Sequence, residues 1–252
     1  MFPYDIDAPW WKDVVYDFKF TEKVPQPFKV GIEYETYVTN MQVYLPWLHS
    51  WFHDLGGKTL KKEIKSLEEA CMITETNVII DCSGLGAIKI KGIEDKKMFP
   101  VRGQSIVVRA PFVERLLGNP GIGATPLPAY IIPLKKDGLV LLGSTLQKND
   151  WLRVPREEDA KAIFERCAEI VPQLKELKEE DILEHKVGLR PEREGGPCIS
   201  YQLLAGVGES KMEVHLIRAN GFGGYGVQSS WGAAKEVIKM MNGHLFKNKS
   251  KL

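Results

Sequence analysis

No hydrophobic run in these 252 residues approaches the roughly twenty apolar positions that a membrane-spanning helix needs, so no membrane partner is expected. The opening residues Met1-Phe2-Pro3-Tyr4 have neither the basic start nor the apolar core of a signal peptide. Cysteine is scarce. The four residues Cys71, Cys82, Cys167 and Cys198 form no CxxC pair, which argues against a zinc site and fits reduced thiols in an intracellular protein. Excess charge is lacking too: 34 basic against 33 acidic residues leave +1 and no basic stripe, so nucleic acid is not an expected partner. There is no internal repeat and no low-complexity segment. What remains is an ordinary globular composition, 44% hydrophobic and 27% charged, in a chain long enough for one large domain or two small ones.

The chain is organised around residues 212–241. Residues 212–219 read as a buried strand. Asn220-Gly221-Phe222-Gly223-Gly224-Tyr225-Gly226 follows, too rich in glycine for the interior of a strand or helix and suited to positive φ and close backbone approach. Trp231, Ala234, Ile238, Met241 and Leu245 then recur at helical spacing, with Ser229 and Ser230 placed as N-cap candidates. A strand, a glycine loop and a helix can present backbone N–H groups and the positive end of a helix dipole to a ligand. On the loop alone, a tight turn without a ligand and a ligand cradle are equally open. No Lys-Ser/Thr pair follows the glycines, so the loop is not Walker A. Its place near the C-terminus, with no βαβ unit after it, makes it a poor Rossmann fingerprint.

Elsewhere, 30–39 reads as a strand, and 41–55 as a helix turning Tyr44, Leu45, Leu48, Trp51, Phe52 and Leu55 inward and ended by Gly56-Gly57. His49 and His53 lie one helical turn apart, but without an HExxH glutamate or a third ligand they read as surface or satisfied core histidines. A short strand is expected over 58–64, and a turn resembling a capping box over 66–69. Residues 77–82 form a continuous apolar run, the mark of a strand buried on both faces of a parallel sheet, and end in Ser83-Gly84-Leu85-Gly86. Strands are predicted over 103–110, 129–134 and 139–145, the last two joined as a hairpin through Lys135-Lys136-Asp137-Gly138. An amphipathic helix is predicted over 156–171. A strand over 182–190 leads to Pro191 and a loop with Gly195-Gly196-Pro197. Antiparallel hairpins set between two sections of α/β character indicate two discontinuous, interleaved domains.

Several pieces, taken in order, resemble the D-amino acid oxidase and D-aspartate oxidase family. They are Trp11-Lys12-Asp13; Val78-Ile79-Ile80-Asp81-Cys82-Ser83-Gly84; Arg102-Gly103-Gln104; Tyr130-Ile131-Ile132-Pro133; Gln147-Lys148-Asn149-Asp150-Trp151; Val187-Gly188-Leu189-Arg190-Pro191; and Gly223-Gly224-Tyr225-Gly226 with Trp231-Gly232. The resemblance covers essentially the whole chain. It implies a mixed α/β (α+β) fold, with a partial FAD-binding α/β domain interleaved with an antiparallel-sheet substrate domain. Residues 1–54 and 96–184 would be the substrate portion, 55–95 and 185–245 the FAD-binding portion, and 246–252 a tail.

The resemblance also implies FAD as cofactor and oxidative deamination of a D-amino acid by oxygen, giving a 2-oxo acid, ammonia and hydrogen peroxide. Arg190 would clamp the substrate carboxylate, Tyr130 would donate its hydroxyl to the same group, and the Gly224 carbonyl would accept from the amine. Gly223, Gly226, Val227 and Gln228 would face the flavin, and Ile64 and Ser83 would line FAD. No side chain is expected to act as catalytic acid or base, and no metal is implied. The terminal Ser250-Lys251-Leu252 matches the peroxisomal address read by an import receptor, in keeping with a peroxide-forming oxidase. A homodimer is compatible with the resemblance.

Three positions depart from the family. Pro126 stands where the family has a second tyrosine, Phe222 replaces a common histidine, and Leu146 stands where D-aspartate oxidases carry an arginine. Leu146 favours neutral substrates, whereas Val-Gly-Leu-Arg-Pro and Gln-Lys-x-Asp-Trp resemble the aspartate branch. Arg115 and Arg153 are candidate substitutes for the missing charge. The family's opening strand, GxGxxG loop and helix have no counterpart before Trp10. From this, the 252 residues alone are expected to bind FAD weakly or not at all, to show no oxidase turnover, to leave the 77–82 strand with an open edge, and to be poorly soluble. A non-catalytic truncated form is the competing expectation.

Overall fold

The structure, a computed structural model, describes residues 9–26, 28, 30–121, 127–134, 137–209 and 211–245. Pro126, Lys135, Lys136 and the Ser250-Lys251-Leu252 ending lie outside them. In chain order the elements are β1 (Tyr16–Thr21), β2 (Gly31–Glu35), α1 (Met41–Asp54), α2 (Leu67–Thr74), β3 (Val78–Asp81), β4 (Met98–Arg109), β5 (Leu117–Asn119), β6 (Ala129–Pro133), β7 (Leu139–Gly143), β8 (Gln147–Lys148), α3 (Glu157–Ile170), β9 (Ile182–Arg193), β10 (Cys198–Val207), β11 (Met212–Asn220) and α4 (Gly226–Leu245). The architecture is thus mixed α and β. The chain divides into two units, one of residues 1–59, 103–146 and 153–188, the other of 60–102, 147–152 and 189–252. Relative to the portions the resemblance implies, residues 55–59 and 185–188 cluster with the first unit, and residues 96–102 and 147–152 with the second. There, Val101 and Arg102 of β4 pair with Lys148 and Gln147 of β8.

The first unit is built on antiparallel strands in the order β5, β6, β7, β4. Alternation sends Ala129, Ile131, Val140, Leu142, Ile106 and Val108 to one face, where Ile163, Cys167 and Ala168 of α3 cover them. Three acidic residues, Glu157, Glu158 and Asp159, fill the first turn of α3 and suit its dipole. Burial pushes the Cys167 thiol up to about 12, so this cysteine serves as a small core residue. Asp137 and Gly138, both at positive φ, close the expected β6–β7 hairpin, where the Leu134 N–H donates to the Leu139 carbonyl. β1 and β2 form a separate two-stranded antiparallel sheet beside an aromatic group of Trp11, Phe18, Phe20 and Tyr34. β1 was not predicted, because its alternation of charge and aromatics is masked by the irregular sequence around it.

The second unit centres on the order β10, β11, β3, antiparallel between the first two and parallel between β11 and β3. Val214 and Leu216 of β11 pack with Leu67 and Cys71 of α2, and with Ala87, Ile93 and Met98. The Ser66 hydroxyl accepts from the Glu69 N–H and the Glu69 carboxylate accepts from the Lys65 N–H, so the predicted turn is the capped start of a helix.

Several expectations are corrected. Residues 58–64 form no strand; only Lys65 and Ser66 just beyond them pair, with Lys91. β3 is not buried on both faces: it stands at one edge of the three-stranded sheet, with Ile80 45% exposed. α1 has the predicted bounds and Gly56 at positive φ behind it, yet buries none of its side chains. In α4 it is Val237 that is buried, while Trp231 and Ile238 are more than half exposed. The inward stripe therefore passes through Ala233 and Val237. Ser229 and Ser230 do not cap α4, which already starts at Gly226. Their hydroxyls donate back to the carbonyls of Tyr225 and Val227. β9 runs on through Pro191 to Arg193 before the turn at Gly195 and Gly196.

Candidate cofactor and substrate site

β3 and β11 run parallel, with Asp81, the last residue of β3, in register with Arg218, two residues before the end of β11. Loops beyond the carboxyl ends of parallel strands are where α/β sheets place ligands. Two such loops occur here. After β3, Ser83 leads into a short helical turn, Gly84–Ile88, with Gly84 at φ +57°. After β11, Gly221 (φ +86°) and Gly223 (φ +56°) lead into α4.

The glycines of the second loop differ in purpose. A Cβ on Gly221 would come within 2.5 Å of Arg193 Cβ, and one on Gly223 within 2.6 Å of Glu192 Cγ. Both are there because the end of β9 lies directly against the loop, bridged at Glu192 and Phe222. At Gly224 an added Cβ would meet only Arg190, at an ordinary 3.6 Å from its Cδ. Gly224 is exposed, as are Val227 and Gln228. Gly84 approaches Pro191 in the same way, with an added Cβ 3.4 Å from Pro191 Cβ. Arg190, Gly223, Gly224, Gly226, Val227, Gln228 and the turn holding Ser83 are thereby gathered at one end of the sheet.

A helical turn at Gly223–Tyr225 runs directly into the 20-residue α4, so the unbonded N–H groups at the head of that run and the positive end of the helix dipole fall at the glycine loop beside Arg190. This donor set, with an open backbone at Gly224, fits the electron-rich edge of a flavin and a carboxylate next to it. Ile64 is half-buried in the extended segment before α2, two residues from the Ser66–Lys91 bridge that joins this segment to the chain beyond the Gly84–Ile88 turn.

Tyr130 belongs to the first unit. Its neighbours Ala129 and Ile131 point into the α3 core, so its side chain leaves β6 on the opposite face. Gly143 is its register partner on β7, and any Cβ there would overlap the Tyr130 ring. Gly143 is therefore what lets the ring lie across the strand. Leu146 is exposed, as are Arg115 and Arg153. His49 and His53 are exposed and hydrogen-bonded to each other at 3.2 Å. Among the described residues, no group of three His, Cys, Asp or Glu side chains is arranged to hold a metal ion, and no helix is long and apolar enough to cross a membrane.

Polar residues that sequence reading passed over hold the site in shape. Arg193 Nε donates to Asp95 Oδ2 at 2.7 Å, anchoring the end of β9 that the glycine loop packs on. Burial pushes the Asp95 carboxyl up. The hydrogen bonds from Arg193 and the Lys97 N–H, with the charges of Arg193 and Arg218, outweigh it and hold the group below the usual carboxylate range. A depressed folded-state value means that the pair stabilises above the unfolded carboxylate range and stops doing so as pH falls through the folded value. Asp95→Asn is thus expected to cost about 1–2 kcal/mol at pH 7, measured by urea denaturation, with the gap to the parent closing below about pH 4. A gap that stays constant to pH 3 would show that the charge of Asp95 is not what matters.

The FAD dependent oxidoreductase (DAO) family model matches residues 16–240. Human D-aspartate oxidase is 36% identical over 241 residues, which cover 94% of the chain and 65% of that protein. A D-amino-acid oxidase from Rubrobacter xylanophilus is 32% identical over 237 residues, covering 92% of the chain and 66% of that protein. The chain thus spans about two thirds of the length of the curated relatives it matches. Among solved structures, glycine oxidase from Geobacillus kaustophilus aligns with a TM-score of 0.49 at 20% identity, over 65% of this chain and 41% of that one.

Proposed function

Because the chain belongs to the FAD-dependent oxidoreductase (DAO) family, we propose that it carries out, with FAD, the oxidative deamination of D-amino acids to 2-oxo acids, ammonia and hydrogen peroxide. The observation that carries this reading is Arg190 beside Gly224 at the start of α4. FAD is the family's cofactor, and when bound it supplies the two-electron acceptor that oxygen then regenerates. Arg190 binds the substrate carboxylate through its planar fork, a geometry that an ammonium cannot reproduce. Tyr130 donates its hydroxyl to that carboxylate, and the Gly224 carbonyl accepts from the amine. Holding the substrate at these points orients its α-hydrogen, so no side-chain acid or base is needed. The backbone of Gly223, Gly226, Val227 and Gln228 and the dipole of α4 favour negative charge at the flavin edge, and Ile64 and Ser83 line the cofactor.

The full chain, supplied with FAD, is tested for peroxide release from D-alanine, D-proline and D-aspartate against their L-enantiomers. FAD bound without oxidation of any D-amino acid sinks the reading. Gly143→Ala probes Tyr130 without touching it. The displaced ring should lower kcat/KM about tenfold, the worth of one hydrogen bond, and an unchanged value would remove Tyr130 from the site.

A second reading, D-aspartate as the preferred substrate, draws on the 36% identity with human D-aspartate oxidase. Leu146 speaks for neutral substrates, since a second carboxylate would find no charge there. The ratio of kcat/KM for D-alanine and D-aspartate separates the two. The Ser250-Lys251-Leu252 ending supports peroxisomal import by its receptor, tested by comparing a fluorescent fusion with an open C-terminus to one lacking Leu252.

A further inference from the structure

Two of the few buried polar side chains of the second unit meet where its parallel strands end. Asp81, the last residue of β3, is 4% exposed, and Asn220, the last of β11, is 3% exposed. Asn220 Nδ2 donates to Asp81 Oδ2 at 2.6 Å and to the Asp81 carbonyl at 3.2 Å. Asn220 Oδ1 accepts from the Gly84 N–H at 2.7 Å. Asp81 Oδ1 accepts from the Ser83 N–H at 3.0 Å. The amide can sit in only one orientation, because its neighbours on one side are acceptors and on the other a donor.

Burying an amide is unfavourable unless it is bonded, and an aliphatic residue of similar size would leave the Gly84 N–H unpaired. Burial alone therefore does not explain an asparagine here. Its position does: Gly221 follows it and opens one loop, while the Gly84 it binds opens the other. A single side chain spans the two loops that lie off the carboxyl ends of the sheet.

We propose that Asn220, seated on Asp81, is a positioning residue that locks the Ser83-Gly84 turn and the 221–226 loop into one preformed surface for the cofactor. The proposal rests on the cofactor reading above. Asn220 reaches the flavin side only through the backbone it holds, and the two loops loosen together when it is lost.

Amide hydrogen exchange on the full chain without FAD tests the coupling. In Asn220→Ala, Gly84 and the amides of 223–228 should exchange about tenfold faster or more, while Ile106 and Val108 in the core of the first unit keep their rates. If Asn220→Ala does not fold, the near-isosteric Asp81→Asn decides, with a smaller rise expected at both loops. Faster exchange at Gly84 alone, or a uniform rise across both units, overturns the proposal. Flavin fluorescence titration is the second readout, with Kd for FAD expected to rise about tenfold in Asn220→Ala. An unchanged Kd with both loops loosened would overturn the cofactor role. A parent chain that binds no FAD would count against the function proposed above, and the exchange data would still decide the coupling.

Discussion

Arg190→Lys is expected to lower kcat/KM for a D-amino acid by about a hundredfold while leaving thermal stability nearly unchanged. Arg190 sits near the end of β9, with its side-chain stem against Gly224. Lysine can follow the same path and keep the positive charge. What it cannot keep is the flat pair of donors that matches a carboxylate edge to edge. A charge-assisted hydrogen bond is worth roughly 1.5–3 kcal/mol, and about 2.7 kcal/mol corresponds to a hundredfold in rate. Because the carboxylate is held in ground state and transition state alike, most of the loss should fall on KM. A loss confined to kcat would mean that Arg190 acts on the reacting centre, and no loss would remove it from the substrate site.

The largest loss of stability is expected from Arg102→Ala. Arg102 is fully buried within the second unit, its Nε donating to the Leu152 carbonyl at 2.9 Å and a terminal nitrogen donating to Gln147 Oε1 at 2.6 Å. Alanine leaves a cavity and removes both of these hydrogen bonds, for a cost of about 3–5 kcal/mol, read from the urea midpoint at constant m-value. A loss under about 1 kcal/mol would show that water or repacking replaces the guanidinium. The result also bears on the Gln147-Lys148-Asn149-Asp150-Trp151 motif, whose first residue accepts from Arg102 and so helps to hold the chain in place. Gln104 behaves likewise in the first unit, exchanging hydrogen bonds with the backbone of Arg156.

The elements legible in the sequence were those whose signals are local. The three- and four-residue rhythm of α3 and the Asp137-Gly138 turn between β6 and β7 needed no knowledge of a partner. β10 was not legible: Ser200 and Gln202 break its apolar pattern, and it exists as a strand because β11 lies beside it over most of its length. α1 and α4 show the limit of periodicity. Their helical bounds were near those expected, but spacing cannot say which stripe meets a neighbour, and the stripes expected to face inward proved largely exposed. At the candidate site, glycines and Arg190 stood out as residue types. Asp81 and Asn220 did not, because a polar residue after an apolar run reads locally as the end of a strand. Only the parallel pairing of β3 with β11 makes them partners across 139 positions of sequence.

The threading of the chain between its units governs how the protein can be made. The chain changes unit after residues 59, 102, 146, 152 and 188. During synthesis the first unit cannot close until residue 188 has left the ribosome, and β3 waits for β11, more than a hundred residues later, to supply its parallel neighbour. Such late, long-range closure makes for slow folding and prolonged exposure of half-built sheets. Lower temperature and slower translation should therefore raise the soluble yield, whereas cutting the gene after residue 102, 146 or 152 should lower it, since each of those three cuts divides both units.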